Sequence, residues 1–155
     1  MIENGRDVLL SEGLAYDRCQ VGVLTNIDPT RLPDDGYVHS PERLCDLMRT
    51  QVDVVLPEGA AVLNAADPLV AEMARLSDGE VIFFAANPAC PPVIAHRAAG
   101  GRTVTLDAGQ IVLGQGDVTV ANLGAGPWSA TDRHQADDLL AAIAAAWALG
   151  PTPDQ

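Results

Sequence analysis

The chain has 155 residues, of which 48% are apolar and 4% aromatic, which suits one domain with a sizeable core. Its formal net charge of −12 disfavours binding to nucleic acid and to anionic membranes, because both would repel it. All nine cationic side chains are arginines, so the sequence has no lysine to contact a phosphate, form a Schiff base or become carbamylated.

The cysteines and the longest apolar stretch indicate the cellular compartment in which we expect the protein. Cys19, Cys45 and Cys90 lie far apart and form no Cys-x-x-Cys pair, which predicts reduced thiols rather than a disulfide framework or a zinc site. The apolar stretch from Leu139 to Leu149 is too short to span a bilayer, and the sequence shows no signal peptide. We therefore expect a cytoplasmic protein.

The first half of the chain predicts alternating strands and helices. A short helix or turn is expected over Val8 to Leu14, and Cys19 to Ile27 is expected to be a buried parallel strand whose polar carboxyl end could meet a ligand. Ser40 is expected to cap the next helix. The apolar face of that helix comprises Leu44, Leu47, Met48, Val52 and Val55. A turn is expected at 57–59.

A βαβ unit follows. It consists of a strand at Ala60 to Asn64, a helix at Leu69 to Leu76 capped by Asp67, and a strand at Glu80 to Ala85. The proline-rich segment 87–92 interrupts the pattern, and three short strands separated by glycine-containing turns come after it. These three strands, Thr103–Leu106, Ile111–Leu113 and Val118–Ala121, predict a small antiparallel meander over about 101–122.

The last predicted element is a helix over Ala136 to Leu149, capped by Thr131 or Asp132. Together these elements predict the α/β class, with an open, mostly parallel sheet flanked by helices and a small antiparallel β meander. We expect residues 1–150 to form a single domain and residues 151–155 to form a frayed tail.

Three strings of the sequence, GLAYDRCQVGVLTNI, EGAAVLNAADPLVAEMA and LLAAIAAAWALG, resemble Mur ligase central domains and the Mur-ligase-like module of cyanophycin synthetases. The similarity runs from Glu3 to Gly150 and keeps the order and spacing of the segments. The resemblance implies an ATP-dependent amide ligase, which activates a carboxylate as an acyl phosphate and lets an amine attack it. In cyanophycin synthetases, this module adds arginine to aspartate side chains of the polymer.

Several positions keep the residues of the family pattern. The family has a Glu-x-x-Arg motif whose glutamate helps to hold magnesium, a Thr-Asn pair after the first strand of this region, and an Asn-Ala-Asp-Asp-Pro string after the second. The matching positions here are Glu3, Arg6, Thr25, Asn26, Asn64 and Asp67.

Other positions depart from the pattern, namely Thr30, Arg31, Met48, Ala66, Gln135 and Asp138. Thr30 and Arg31 stand where the family has an Asp-His pair of the metal and phosphate region, and Met48 stands near a family lysine. Ala66 replaces a carboxylate. Gln135 and Asp138 replace two asparagines beside the nucleotide. Arg31 would repel a divalent cation, and the Met48 thioether is not the oxygen ligand that magnesium needs.

The family's glycine-rich phosphate loop, which ends in Gly-Lys-Thr, has no counterpart in this sequence, and the chain is expected to begin after its position. We therefore assign no catalytic residue and no metal site, and expect no cofactor. ATP and magnesium are expected only if a partner supplies the loop. A separate hypothesis places an anion site at Arg31 and Arg49, beside Asn26.

Two functional hypotheses follow, and a gene remnant without a selected role is a third reading. The first is a catalytically degenerate protein that serves as a binding or scaffold partner of a biosynthetic enzyme. The second is a fragment or subunit of an ATP-dependent amide ligase whose ATP site is completed by another chain. Because the family's phosphate-loop strand lies beside the strand at 19–27, we expect self-association or a partner protein to cover the exposed sheet edge there.

Overall fold

A computed structural model describes residues 2–32, 38–124 and 133–150. One sheet contains six strands in sequence order, β1 (Cys19–Leu24), β2 (Val55–Asn64), β3 (Glu80–Ala85), β4 (Arg102–Asp107), β5 (Gln110–Gln115) and β6 (Val118–Leu123). The helices are α1 (Arg6–Ser11), α2 (Pro41–Asp53), α3 (Pro68–Glu72), α4 (Pro91–Ala98) and α5 (Arg133–Ala148), with a 3-10 turn, Met73–Leu76, after α3. β1 to β4 pair in parallel and β4 to β6 pair antiparallel, which confirms the predicted α/β class.

Alternating side chains along the strands build a separate core on each face of the sheet. Leu63 of β2 faces α2, α3 and α4, which connect the parallel strands, whereas its neighbour Val62 faces α5. Both valine and leucine are fully buried, as expected for a sheet covered by helices on both sides. The sheet is thus a middle layer between three crossover helices and one long helix.

β2 begins earlier than the sequence predicted. Val55 was expected on the apolar face of α2, but α2 ends at Asp53 and Val55 is the first residue of the strand, paired with Cys19. The next regular pair joins Val21 to Ala60, so the residues predicted as a turn, 57–59, form an irregularity within β2. The residues that predicted a turn therefore form a bulge, because β2 pairs with β1 on both sides of them.

The proline-rich segment does not interrupt the fold. Pro91 is the first residue of α4, where its missing N–H costs nothing because the first helical N–H groups have no intrahelical partner. α4 is the crossover that places β4 parallel to β3. The predicted meander of β4, β5 and β6 is confirmed by their antiparallel pairing, and β4 joins it directly to the main sheet.

The orientation of α5 follows from one arginine at the amino end of β4. The Arg102 guanidinium donates to the carbonyl oxygen of Trp147 at 3.0 Å and lies 3.8 Å from the centroid of its ring. The carboxyl end of α5 therefore lies at the amino end of the strands, and its first turn points toward their carboxyl ends. The caps predicted for this helix, Thr131 or Asp132, and the tail 151–155 lie outside the described residues.

The described helices include none that is long and apolar enough to cross a membrane.

Candidate functional site

A cleft of about 320 Å³ lies at the carboxyl end of β1. Its lining residues are Arg6, Asn26, Ile27, Asp28, Arg31, Leu44 and Met48. In open α/β sheets, ligands bind outside the carboxyl ends of parallel strands, so this is the expected edge for a site. Four positions singled out from the sequence, two retained and two divergent, therefore meet in one place.

Arg6 and Arg31 come from different segments and are joined by a direct contact. The Arg6 Nη1 donates to the carbonyl oxygen of Arg31 at 2.6 Å, and its Nε donates to the Asp7 carboxylate at 3.2 Å. The Arg31 N–H in turn donates to the carbonyl oxygen of Asp28 at 3.3 Å, which turns the chain after β1. The two arginines thus line the same cleft.

Asp28 is the carboxylate of the cleft, and the sequence reasoning missed it. Its Oδ1 accepts from the Thr30 hydroxyl at 2.6 Å and from the Thr30 N–H at 3.0 Å. The hydrogen bonds from Thr30, with a smaller contribution from the charge of Arg31, hold the Asp28 pKa below its ordinary value of 3.8. An aspartate followed two residues later by such a partner is a common turn signal, which was available in the sequence.

The wall of the cleft opposite the arginines is apolar. Leu44 and Met48 are four residues apart on α2 and so share one helix face. Leu44 is buried in the core, whereas Met48 is half-buried and reaches the cleft. Where the family pattern has a cationic side chain, this chain places a thioether.

At the neighbouring strand end, after β2, the polar side chains accept hydrogen bonds from the backbone of the fold. The Asn64 Oδ1 accepts from the N–H of Ala66 at 2.9 Å, which closes the turn between β2 and α3. The Asp67 Oδ1 accepts from Leu69 and Val70 at the start of α3, at 2.9 and 3.2 Å. Its Oδ2 accepts from the N–H of Ile27 at 2.8 Å, so this one carboxylate ties the end of β1 to the start of α3.

The other sequence-selected positions do not line the cleft. Glu3 is exposed near the amino end of the chain, and Ala66 is exposed in the turn after β2. Thr25 donates its hydroxyl to the Asn26 amide oxygen at 3.1 Å. Gln135 and Asp138 are exposed on the first turns of α5, which packs on the opposite face of the sheet from α2.

Arg49 is also absent from the cleft. Its Nε pairs with the Asp53 carboxylate at 2.9 Å, one turn further along α2 and directed away from the end of β1. The structure therefore does not bring Arg49 to the cleft with Arg31, as the anion-site hypothesis required, whereas Arg6 does line it. Sequence reasoning could not identify Arg6 as this partner, because the two residues are 25 positions apart.

The cleft does not fit a magnesium ion. Among the described lining residues, Asp28 supplies one carboxylate, and that group already accepts two hydrogen bonds from Thr30. Two arginines belong to the same lining, and their positive charges disfavour a dication there. Within the described ranges, no group of three or more His, Cys, Asp or Glu side chains could hold a metal ion.

Sequence comparison finds relatives among cyanophycin synthetases, whereas no family model matches the chain. The cyanophycin synthetase of Synechocystis sp. (strain PCC 6803) is 34% identical to this chain over 120 residues, and that of Crocosphaera subtropica is 33% identical over the same length. In both comparisons the matched region covers 77% of this chain and 14% of the relative. The chain thus corresponds to a small part of these proteins.

Structure comparison finds the same fold in two solved ligases. The UDP-N-acetylmuramate:L-alanyl-gamma-D-glutamyl-meso-diaminopimelate ligase of Neisseria meningitides matches with a TM-score of 0.53 at 19% identity, over 84% of this chain and 36% of that one. The UDP-N-acetylmuramoylalanyl-D-glutamyl-2,6-diaminopimelate–D-alanyl-D-alanyl ligase of Acinetobacter baumannii matches with a TM-score of 0.51 at 18% identity, over 87% and 27%. At these identities the likeness concerns the fold.

Proposed function

Because the chain is a Mur ligase-like domain related to cyanophycin synthetase, we propose that it is a catalytically degenerate member that serves as a binding or scaffold partner of a biosynthetic enzyme. One observation carries the proposal: Arg31 and Met48, which depart from the family pattern, line the same cleft at the carboxyl end of β1. Two of the six departures therefore lie at the cleft, where the resemblance implies the metal and phosphate region.

The chemistry of the cleft supports a role without ATP turnover. Magnesium bridges the phosphates of ATP in enzymes that transfer its terminal phosphate, and it needs oxygen ligands in a negative environment. Here the described lining residues include two arginines and only the Asp28 carboxylate. Because the residues present do not fit the ion, we expect neither magnesium nor ATP to bind to this chain alone.

A second candidate function is a subunit of an ATP-dependent amide ligase, completed by another chain that carries the phosphate loop. The position of β1 favours it, because β1 stands at the end of the strand order and, among the described residues, pairs with β2 alone. An open parallel edge of this kind can accept a further strand. In both candidates we propose that the edge over 19–27 is covered by a partner protein or a second copy.

We further propose a cytoplasmic location and one folding unit over residues 1–150. The three cysteines are free and are spread over β1, α2 and the turn before α4, as suits a reducing compartment. A single sheet with α5 packed on it supports the single unit.

The deciding experiment is calorimetric titration of the purified chain with ATP and magnesium, with an assay of ATP turnover. We expect no heat of binding and no turnover. The matched variant is Thr30→Asp with Arg31→His, which restores the family pair, and we expect it to bind manganese where the wild-type chain does not. Magnesium-dependent turnover by the wild-type chain alone would overturn the proposal.

Adding a candidate ligase to the same assay separates the two functions. Turnover that needs both chains favours the second candidate, whereas a stable complex with unchanged ligase chemistry favours the first. Sedimentation at several concentrations tests the edge proposal. A monodisperse monomer that also forms no complex with the ligase contradicts it.

A further inference from the structure

We propose that the cleft at the carboxyl end of β1 binds a small oxyanion, a carboxylate or a phosphate group, directly through Arg6 and Arg31 and without a bridging metal ion. The inference rests on the non-catalytic function proposed above, because it assigns the cleft to ligand binding alone. Its starting observation is that two arginines from separate segments line one cleft of about 320 Å³, a size suited to a small acid.

The two arginines are placed for joint recognition. Arg6 is half-buried, and its Nη1 donates to the carbonyl oxygen of Arg31. The Arg6 guanidinium therefore holds the backbone that carries the Arg31 side chain. The Arg31 side chain is exposed, and its charge acts on the neighbouring Asp28 carboxylate. A guanidinium presents its donors in a planar fork that matches carboxylate and phosphate oxygens.

The described lining of the cleft is not acidic, although the whole chain is. It contains two arginines and one aspartate, and Arg6 is also paired with the exposed Asp7 carboxylate, so these charges balance in a chain of net charge −12. Thr30 already donates two hydrogen bonds to the Asp28 carboxylate. The Asp28 carboxylate is thus hydrogen-bonded within its own turn. Electrostatic interactions inside the cleft are stronger than those with distant charges, which salt screens.

The rest of the lining indicates the shape of the ligand. Asn26 adds an exposed amide at the end of β1, and Met48 adds an apolar surface on α2. A ligand with its anionic group on the arginines would lay an adjoining carbon chain on the thioether, which adapts to varied shapes. The cleft thus fits an organic acid or a phosphate monoester with a short apolar part.

The test is an NMR titration of the chain with succinate and, separately, with inorganic phosphate, in the presence of a metal chelator. We expect saturable amide shifts at Asn26 to Arg31 and on α2 around Met48. The probe that binds more tightly, succinate or phosphate, identifies the ligand class as a carboxylate or a phosphate.

Variants then assign the binding to the two arginines. Arg31→Gln and Arg6→Gln should each weaken binding by about tenfold or more, the usual loss for a charge-assisted hydrogen bond. Arg31→Lys keeps the charge without the fork and should recover part of the affinity. Arg49→Gln is the matched control, since this arginine pairs with Asp53 outside the cleft, and it should leave binding unchanged.

Three results would overturn the inference. They are the absence of saturable shifts with both probes, binding that requires added magnesium, and equal weakening by Arg49→Gln and Arg31→Gln, which would indicate general charge attraction. Because Arg31 is exposed, Arg31→Gln should keep the fold even if Arg6→Gln loosens α1. The titration is also independent of the ATP assay, so the chain can fail one and pass the other.

Discussion

The carboxyl ends of β1 and β2 lie side by side, with Leu24 paired to Leu63, yet their polar residues are used in opposite ways. After β2, Asn64 is 5% exposed and its side chain closes a turn, while Asp67 accepts three backbone N–H groups. After β1, Asn26 and Arg31 are exposed and line an open cleft. The polar side chains at the end of β2 are hydrogen-bonded within the fold, whereas those at the end of β1 are open to solvent.

The difference explains which family positions are kept. Asn64 and Asp67 hold backbone groups of the fold, so replacing them would cost stability whatever the protein does. Arg31 and Met48 line the cleft, and neither of them is fully buried in the core. Matching a family motif at Asn64 and Asp67 is therefore an indication of fold rather than of catalysis.

The largest expected effect comes from Asp67→Ala, which removes the acceptor of three backbone N–H groups at the end of β1 and the start of α3. We expect unfolding in urea to show a loss of roughly 3 kcal/mol, combining a lost helix cap with buried donors left unpaired. Asp67→Asn, which keeps an oxygen acceptor, should lose less than half of that. Equal losses for the two variants would contradict the assigned hydrogen bonds.

A matched pair of asparagine variants compares the two strand ends directly. Asn64→Ala should destabilise the fold by about 1–2 kcal/mol, because the N–H of Ala66 loses its partner in a buried turn. Asn26→Ala, at an exposed position, should change stability by less than about 0.5 kcal/mol. Both values come from urea unfolding of the two variants beside the wild-type chain, and the reverse order of effects would refute the comparison.

The smallest expected effect concerns the cleft itself and is read by pH titration. Thr30→Val removes the hydroxyl that does most to lower the Asp28 pKa, so that pKa should rise toward 3.8, as followed by carboxyl carbon NMR. In the wild-type chain the lowered pKa stabilises the fold above pH 3.8, and this contribution disappears as pH falls through the folded-state value. Thr25→Val, whose hydroxyl contacts Asn26, serves as control and should leave the Asp28 pKa unchanged.

Elements with strong local signals were predicted well. β3 has the predicted bounds, Glu80–Ala85, because a continuous apolar run between turn residues identifies a strand buried on both faces. Ser40 was predicted to cap α2 and accepts from the N–H of Arg43 as expected. Such features depend on residues within one turn of each other, so the sequence displays them directly.

The incorrect predictions have a different cause. α4 was not predicted, because paired prolines mark a turn as readily as the first residues of a helix, and only its packing between β3 and β4 distinguishes the two. Val55 was assigned to the wrong element, because a valine that suits a helix face also suits a strand. In both cases long-range pairing decided between two locally acceptable structures.

The sequence by itself determined the strands and caps, the absence of lysine, the kinship with cyanophycin synthetases and the positions that depart from the family pattern. Tertiary structure alone decided which of these positions act together. Arg6 meets Arg31 across 25 residues, and Asp67 reaches Ile27 across 40, through hydrogen bonds that form only once the helices have packed on the sheet. The cleft is a property of that packing, because its residues are close in space but far apart in sequence.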